Sequence, residues 1–166
     1  MELWDIYDEH KERTGRTMKR DDWRMKPGEY HLSVLGVIRR PDGKFLITKR
    51  AENKPWAPGW WEVPGGSVLA GESSEEAVHR EIWEETGLDV SGSKGGFLFG
   101  YRRDNPDKGD NYFVDIYRYE MDFEETNVHL QPEETVDYLL ADSEQIREFD
   151  RQGIFLHYQS IRQAFE

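Results

Sequence analysis

Arg80-Glu81-Ile82-Trp83-Glu84-Glu85-Thr86-Gly87 is the stretch on which the reading of this chain turns. Glu81, Glu84 and Glu85 stand at i, i+3 and i+4. At 3.6 residues per turn, Glu84 and Glu85 fall roughly 60° and 40° to either side of Glu81, so a helix presents all three on one side. Like charges crowded in this way destabilise an isolated helix. A bound cation offsets that repulsion, and carboxylate oxygens are the donors that hard divalent ions such as Mg²⁺ prefer. A bare Glu-x-x-Glu-Glu is more often a solvated acidic face; the surroundings decide otherwise here.

Upstream, Ser73 followed by Glu76 forms a capping-box signal, and Gly87 is a stop signal, so a helix is expected over residues 73–86. Val78 and Ile82 flank the acidic strip and are expected to pin this helix to a sheet. Before it, Pro58-Gly59-Trp60-Trp61-Glu62-Val63-Pro64-Gly65-Gly66 holds glycines that let backbone approach a ligand closely. The set Gly66, Glu72, Arg80-Glu81-Ile82, Glu84-Glu85 and Gly87-Leu88 resembles the Nudix box at every fixed position and spacing. The resemblance implies an α/β fold, an α/β/α sandwich around a mixed β-sheet. It also implies a hydrolase that cleaves diphosphate bonds with Mg²⁺, Mn²⁺ serving as a substitute.

The resemblance assigns roles to individual residues. Glu81, Glu84 and Glu85 hold the metal together with a backbone carbonyl of the Gly-Gly turn, taken as that of Gly66, with Gly65 the alternative. Glu81 either binds metal or takes the proton of the attacking water. Arg80 orients the carboxylates, reaching Glu84 one turn on or Glu76 one turn back. Glu72, just ahead of the helix, is given a structural role that suits the helix dipole, with metal contact as the additional option. Family members often recruit a further acid from a distant loop, for which Glu133 and Glu134 in Gln131-Pro132-Glu133-Glu134 are the candidates. Trp56 is a candidate for stacking on a substrate base or for plain packing, whereas Trp61 reads as structural.

A looser resemblance links Trp4 to Glu9, Thr14-Gly15 and Gly28 to His31 with the branch related to isopentenyl-diphosphate isomerase. That chemistry requires an active-site cysteine, and the chain has none. The cysteine's place falls on Gly65 and a metal-ligating histidine's on Ser67, while the later glutamate pair falls on Asp110-Asn111-Tyr112. His31 is then a relic of that metal site or an ordinary structural histidine. A second rival, a non-catalytic nucleotide-sensing module, is disfavoured because every box carboxylate is kept.

The 166 residues suffice for one core-bearing domain. The net charge of −12 disfavours binding to a nucleic acid polymer but admits a metal-screened small-molecule diphosphate. Without cysteine there is no disulfide framework and no thiolate-ligated zinc. Lacking a long apolar run, the chain is read as cytoplasmic with no membrane partner. Residues 1–29 are read as an N-terminal extension, with strands over 3–7 and 16–20 around a turn at 9–15, able to mediate a homodimer. Residues 30–166 are read as the Nudix domain. Further strands are expected over 30–39, 44–50, 96–101, 112–121 and 136–140, and helices from 143 and over 158–165. Loops 51–60 and 102–111 are expected to set specificity.

Overall fold

The computed structural model describes residues 2–166. The chain runs β1 (Leu3–Tyr7), β2 (Arg13–Lys19), β3 (His31–Arg39), β4 (Phe45–Arg50), β5 (Trp61–Glu62), β6 (Gly65–Ser67), α1 (Ser74–Thr86), β7 (Lys94–Arg103), β8 (Tyr112–Glu120), β9 (Thr135–Ala141), α2 (Ser143–Arg151) and α3 (Tyr158–Ile161). A 3-10 turn, Arg162–Phe165, continues α3 in place of the single helix expected over 158–165. Among the described residues, no helix is long and apolar enough to cross a membrane.

β3 to β9 form one mixed seven-stranded sheet. β3 pairs with β8 in parallel over its whole length, from His31 opposite Tyr112 to Arg39 opposite Glu120. β3 and β4 leave their hairpin in register only at Arg39 and Phe45, and then splay apart. β4 is paired along its outer edge with β9 from Phe45 to Arg50. Its inner edge is therefore free to take β5, with Thr48 opposite Glu62, while β3 takes β6, with Val34 opposite Gly66. β5 and β6 thus wedge into the split between the two strands. The Gly65-Gly66 segment, expected as a tight turn, is instead a strand.

Period-two alternation on β3 sends its side chains to two cores. Leu32, Val34 and Ile38 pack with Ala77, Val78 and Ile82 of α1 on one face. Val37 joins Phe45, Ile47, Ile146, Ile161 and Phe165 on the other, under α2 and α3. Helices thus cover both faces, as the α/β/α reading requires. Gly36 lets α1 lie close: a Cβ there would stand 2.6 Å from Ile82 Cδ1.

β1 and β2 make a separate two-stranded antiparallel sheet whose small core is Trp4, Ile6 and Met25. The turn lies earlier than expected. Asp8 closes it, its Oδ1 accepting His10 N–H at 2.8 Å and Glu12 N–H at 3.1 Å, so β2 begins at Arg13 and Gly15 falls inside the strand. Self-capping by Asp8 fixes the reversal there in place of the turn expected over 9–15.

Candidate active site

α1 forms where the capping box and the glycine stop require it. Ser73 Oγ accepts Glu76 N–H at 3.1 Å, the Glu76 carboxylate accepts Ser73 N–H at 3.0 Å, and Gly87 closes the helix at φ 75°. Glu76 is therefore engaged in the cap and is not a partner of Arg80, contrary to one of the two expected reaches. Arg80 instead grips Glu72 bidentately, Nε to Oε2 at 2.7 Å and Nη2 to Oε1 at 2.9 Å. The same guanidinium donates to Glu81 at 2.9 Å, to Glu84 at 3.3 Å and to the Ser67 carbonyl at 3.1 Å. One planar cation thereby ties α1, β6 and the loop between them. Burial alone would raise the Glu72 carboxyl, but Arg80 and the Leu69 N–H outweigh it and hold it below the usual range.

Glu85 projects from α1 toward β6 and accepts Gly65 N–H at 3.2 Å. Its carboxyl is pushed well above the ordinary range, first by burial and then by the charges of Glu62 and Glu81. Glu81 is raised as well, burial prevailing over the pull of Arg80. Glu62 on β5 is pushed up to about 7 by burial, against the lowering pull of Arg50, whose Nη1 is 3.4 Å away. Four carboxylates from two elements, Glu62 on β5 and Glu81, Glu84 and Glu85 on α1, therefore converge with less positive charge than full ionisation requires.

They line a cavity of about 450 Å³ at the split between β3 and β4. Its acids are Glu2, Glu62, Glu81, Glu84, Glu85 and Glu134; its bases are Arg20, Arg50, Lys54 and Arg80. Ser33, Val34, Leu35, Gly65, Gly66, Tyr101, Val114, Gln131, Thr135 and His157 complete the lining. At Gly66 a Cβ would come within 2.5 Å of Glu81 Oε1, so the Glu81 carboxylate lies directly against this strand. The donor set, carboxylates plus backbone next to them, suits a hard divalent cation. Among the described residues, no three acidic or His side chains already stand as a coordination cage. In the observed rotamers Glu81 and Glu84 are turned onto Arg80 and Glu85 onto Gly65.

The outlying candidates separate. Glu134 lines the cavity, paired with Lys54, because the turn at Gln131 aims it inward; Glu133 does not line it. Trp56 is 57% exposed and stands outside the lining, its ring 5.2 Å from the Arg50 guanidinium. Trp61 is half-buried and stacks on Phe149 at 5.5 Å, a packing role. Loop 51–60 contributes Lys54, but loop 102–111 contributes nothing to the lining. It packs instead on the segment before β3, Asn111 Nδ2 donating to the carbonyls of Lys26 and Glu29. His31 is buried, stacked on Trp4 at 3.9 Å and 3.0 Å from Asp110, outside the cavity. Where the isomerase would carry cysteine, a Cβ on Gly65 would stand 2.2 Å from the Val34 carbonyl oxygen, so the register of β6 on β3 excludes any side chain.

Sequence reasoning missed Glu62, Arg50, Arg20, Tyr101 and His157. Glu62 had one signal: a lone acid in an apolar-aromatic run directly before Pro64-Gly65-Gly66. The others come from distant segments that only the fold brings together.

The Nudix domain pattern matches residues 29–159. An uncharacterized Nudix hydrolase from Listeria monocytogenes is 32% identical over 168 residues, covering 99% of this chain and 94% of the relative. A nucleoside triphosphatase NudI from Salmonella arizonae is 50% identical over 55 residues, 33% of this chain and 39% of that protein. A MutT protein from Methanosarcina mazei superposes with a TM-score of 0.59 at 28% identity, over 77% of this chain and 96% of that one. A Deinococcus radiodurans protein shares the fold, with a TM-score of 0.77 at 20% identity over 99% of this chain and 100% of that one. With the box complete, its three helix acids gathered in one cavity and relatives spanning nearly the whole chain, this protein belongs to the Nudix hydrolase family and is a pyrophosphohydrolase.

Proposed function

We propose that the chain is a Mg²⁺-dependent hydrolase, able to use Mn²⁺, that cleaves a diphosphate bond in a nucleoside diphosphate derivative or a related organic pyrophosphate. The observation that carries this reading is the convergence of Glu62, Glu81, Glu84 and Glu85 on one cavity with incomplete compensation by Arg50 and Arg80. Buried like-charged carboxylates are costly unless a cation joins them. Glu81, Glu84 and Glu85, with a carbonyl of Gly66 or Gly65, are the groups that would hold it. Bound there, a divalent ion neutralises diphosphate charge and lowers the pKa of water.

The protein's own groups supply the rest. Arg80 fixes the rotamers of Glu81 and Glu84 from one side and is itself fixed by Glu72. Glu81, raised by burial, is suited to accept the proton of the attacking water. Residues 30–166 carry this machinery, with 1–29 as an extension. The isomerase reading is set aside, because its proton shuttle needs a side chain at the position of Gly65.

The test is a substrate panel of nucleoside triphosphates, nucleotide sugars, ADP-ribose, dinucleoside polyphosphates, NADH and prenyl diphosphates with Mg²⁺, scored for phosphate-containing products. Turnover in ¹⁸O-water should place label in a phosphate product. Deuterium uptake into prenyl carbon in heavy water, with no phosphate release, would reverse the reading.

A further inference from the structure

The N-terminal hairpin reaches the cavity. β1 lies along the loop joining β6 to α1: Ala70 N–H donates to the Leu3 carbonyl at 2.8 Å, and Gly71 N–H to Asp5 Oδ2 at 2.9 Å. From β2, Arg13 Nη2 donates to the Glu72 carbonyl at 2.8 Å, on the residue that grips Arg80. At the hairpin turn, Lys11 pairs with the buried Asp115, which also accepts Ser74 Oγ at 2.6 Å in the first turn of α1. The hairpin is therefore fastened at both ends to the segment that carries the box.

Just past β2, these anchors place Arg20 in the lining of the cavity that Glu81 and Glu84 also line. Three of the four bases lining the cavity are occupied by its framework. Arg80 is held by Glu72, Glu81 and Glu84, Arg50 by Glu62 and the Trp56 carbonyl, and Lys54 by Glu134. Among the described residues, the acidic partners of Arg20 are Glu2 and Asp21, both from its own segment, the latter at 3.9 Å. Its side chain is 42% exposed, and the charge of Glu81 acts on it. A part-exposed guanidinium on the cavity wall, whose carboxylate partner is itself 50% exposed, has the charge and fork geometry that suit a phosphate oxygen.

We propose that Arg20 binds a phosphate oxygen of the substrate, exchanging Glu2 for it, so that the hairpin forms part of the active site. This rests on the diphosphate-hydrolase reading and adds to it a binding group from outside the box.

The test uses the full chain with Mg²⁺. It combines steady-state kinetics on the best substrate of the panel with calorimetric binding of a methylene-bridged nucleoside diphosphate, which resists cleavage. Arg20→Ala should raise KM and weaken analogue binding by about tenfold or more, the scale of one charged hydrogen bond, with the melting temperature nearly unchanged. Arg20→Lys should recover part of the loss, and Glu2→Gln, which frees Arg20, should lower KM. Arg16→Ala is the control, since Arg16 belongs to the same hairpin, on β2, but pairs with Glu29 at 2.6 Å. Unchanged KM and analogue affinity in Arg20→Ala overturn the proposal, as does an equal loss in Arg16→Ala, which marks a general loosening of the hairpin. If the wild type binds the analogue through Arg20 but cleaves nothing in the panel, the hydrolase reading fails and the phosphate contact stands.

Discussion

Glu85 has its carboxylate against Gly65 N–H, with Glu62 and Glu81 as like-charged neighbours. Removing its charge removes what would hold a cation while leaving the packing volume nearly unchanged. Glu85→Gln should keep the fold and lose kcat by about 10²–10⁴, the range for an essential acid–base or metal-positioning group. Near-wild-type kcat at saturating Mg²⁺ would falsify the metal-site assignment. Glu62 adds a pH dependence. Its carboxyl sits at about 7 in the folded protein against 4.5 for an ordinary glutamate. Between those values the folded chain keeps a proton that the unfolded chain has released. The associated stability is complete below the lower value and is lost as pH rises through the upper one. Glu81 and Glu85, also raised, act in the same direction. In EDTA, the melting temperature should therefore fall between about pH 5 and about pH 8 by more in the wild type than in Glu62→Gln. Parallel pH profiles for the two proteins would refute the burial argument for Glu62.

α1 illustrates how an element is specified locally and used globally. Its start, its stop and its acidic strip were all legible, because capping chemistry and 3.6-residue periodicity act over a few neighbouring residues. Ser73→Ala should cost about 1 kcal/mol, the usual worth of an N-cap, and lower the denaturant midpoint without changing the m-value. A loss well under that would mean that the packing of Val78 and Ile82 alone sets this helix. The short strands β5 and β6 were not legible. Two- and three-residue strands carry no periodicity, and they exist because β3 and β4 splay and leave two inner edges to be paired. The hairpin was legible as a pair of strands, but its turn was expected over 9–15, whereas the Asp8 carboxylate closes it earlier.

For the whole molecule, the cavity gathers six carboxyl groups against four basic side chains. A cation binding the native state in preference to the unfolded chain stabilises it by mass action. Mg²⁺ or Mn²⁺ should raise the melting temperature of the wild type. Replacing Glu84 and Glu85 together with Gln should raise stability in EDTA slightly and remove the metal response. A metal shift that survives the double change would place the cation elsewhere in the molecule.

The sequence by itself determined the family, the helix and the acids of the box, because each of those depends on spacing within about two dozen residues. It also excluded thiol chemistry, through composition alone. Only the tertiary structure decided which outlying groups reach the site. Glu134 turns in and Glu133 does not; Lys54 lines the cavity while Trp56 stays at the surface; loop 102–111 faces away. Glu62 and Arg20 enter through the split between β3 and β4 and through the docking of β1 on the loop before α1. The physical reason is that periodicity and capping are short-range, whereas convergence on a cavity depends on sheet order, register and the direction of each strand edge. Those are settled by packing two cores at once, between residues far apart in the chain.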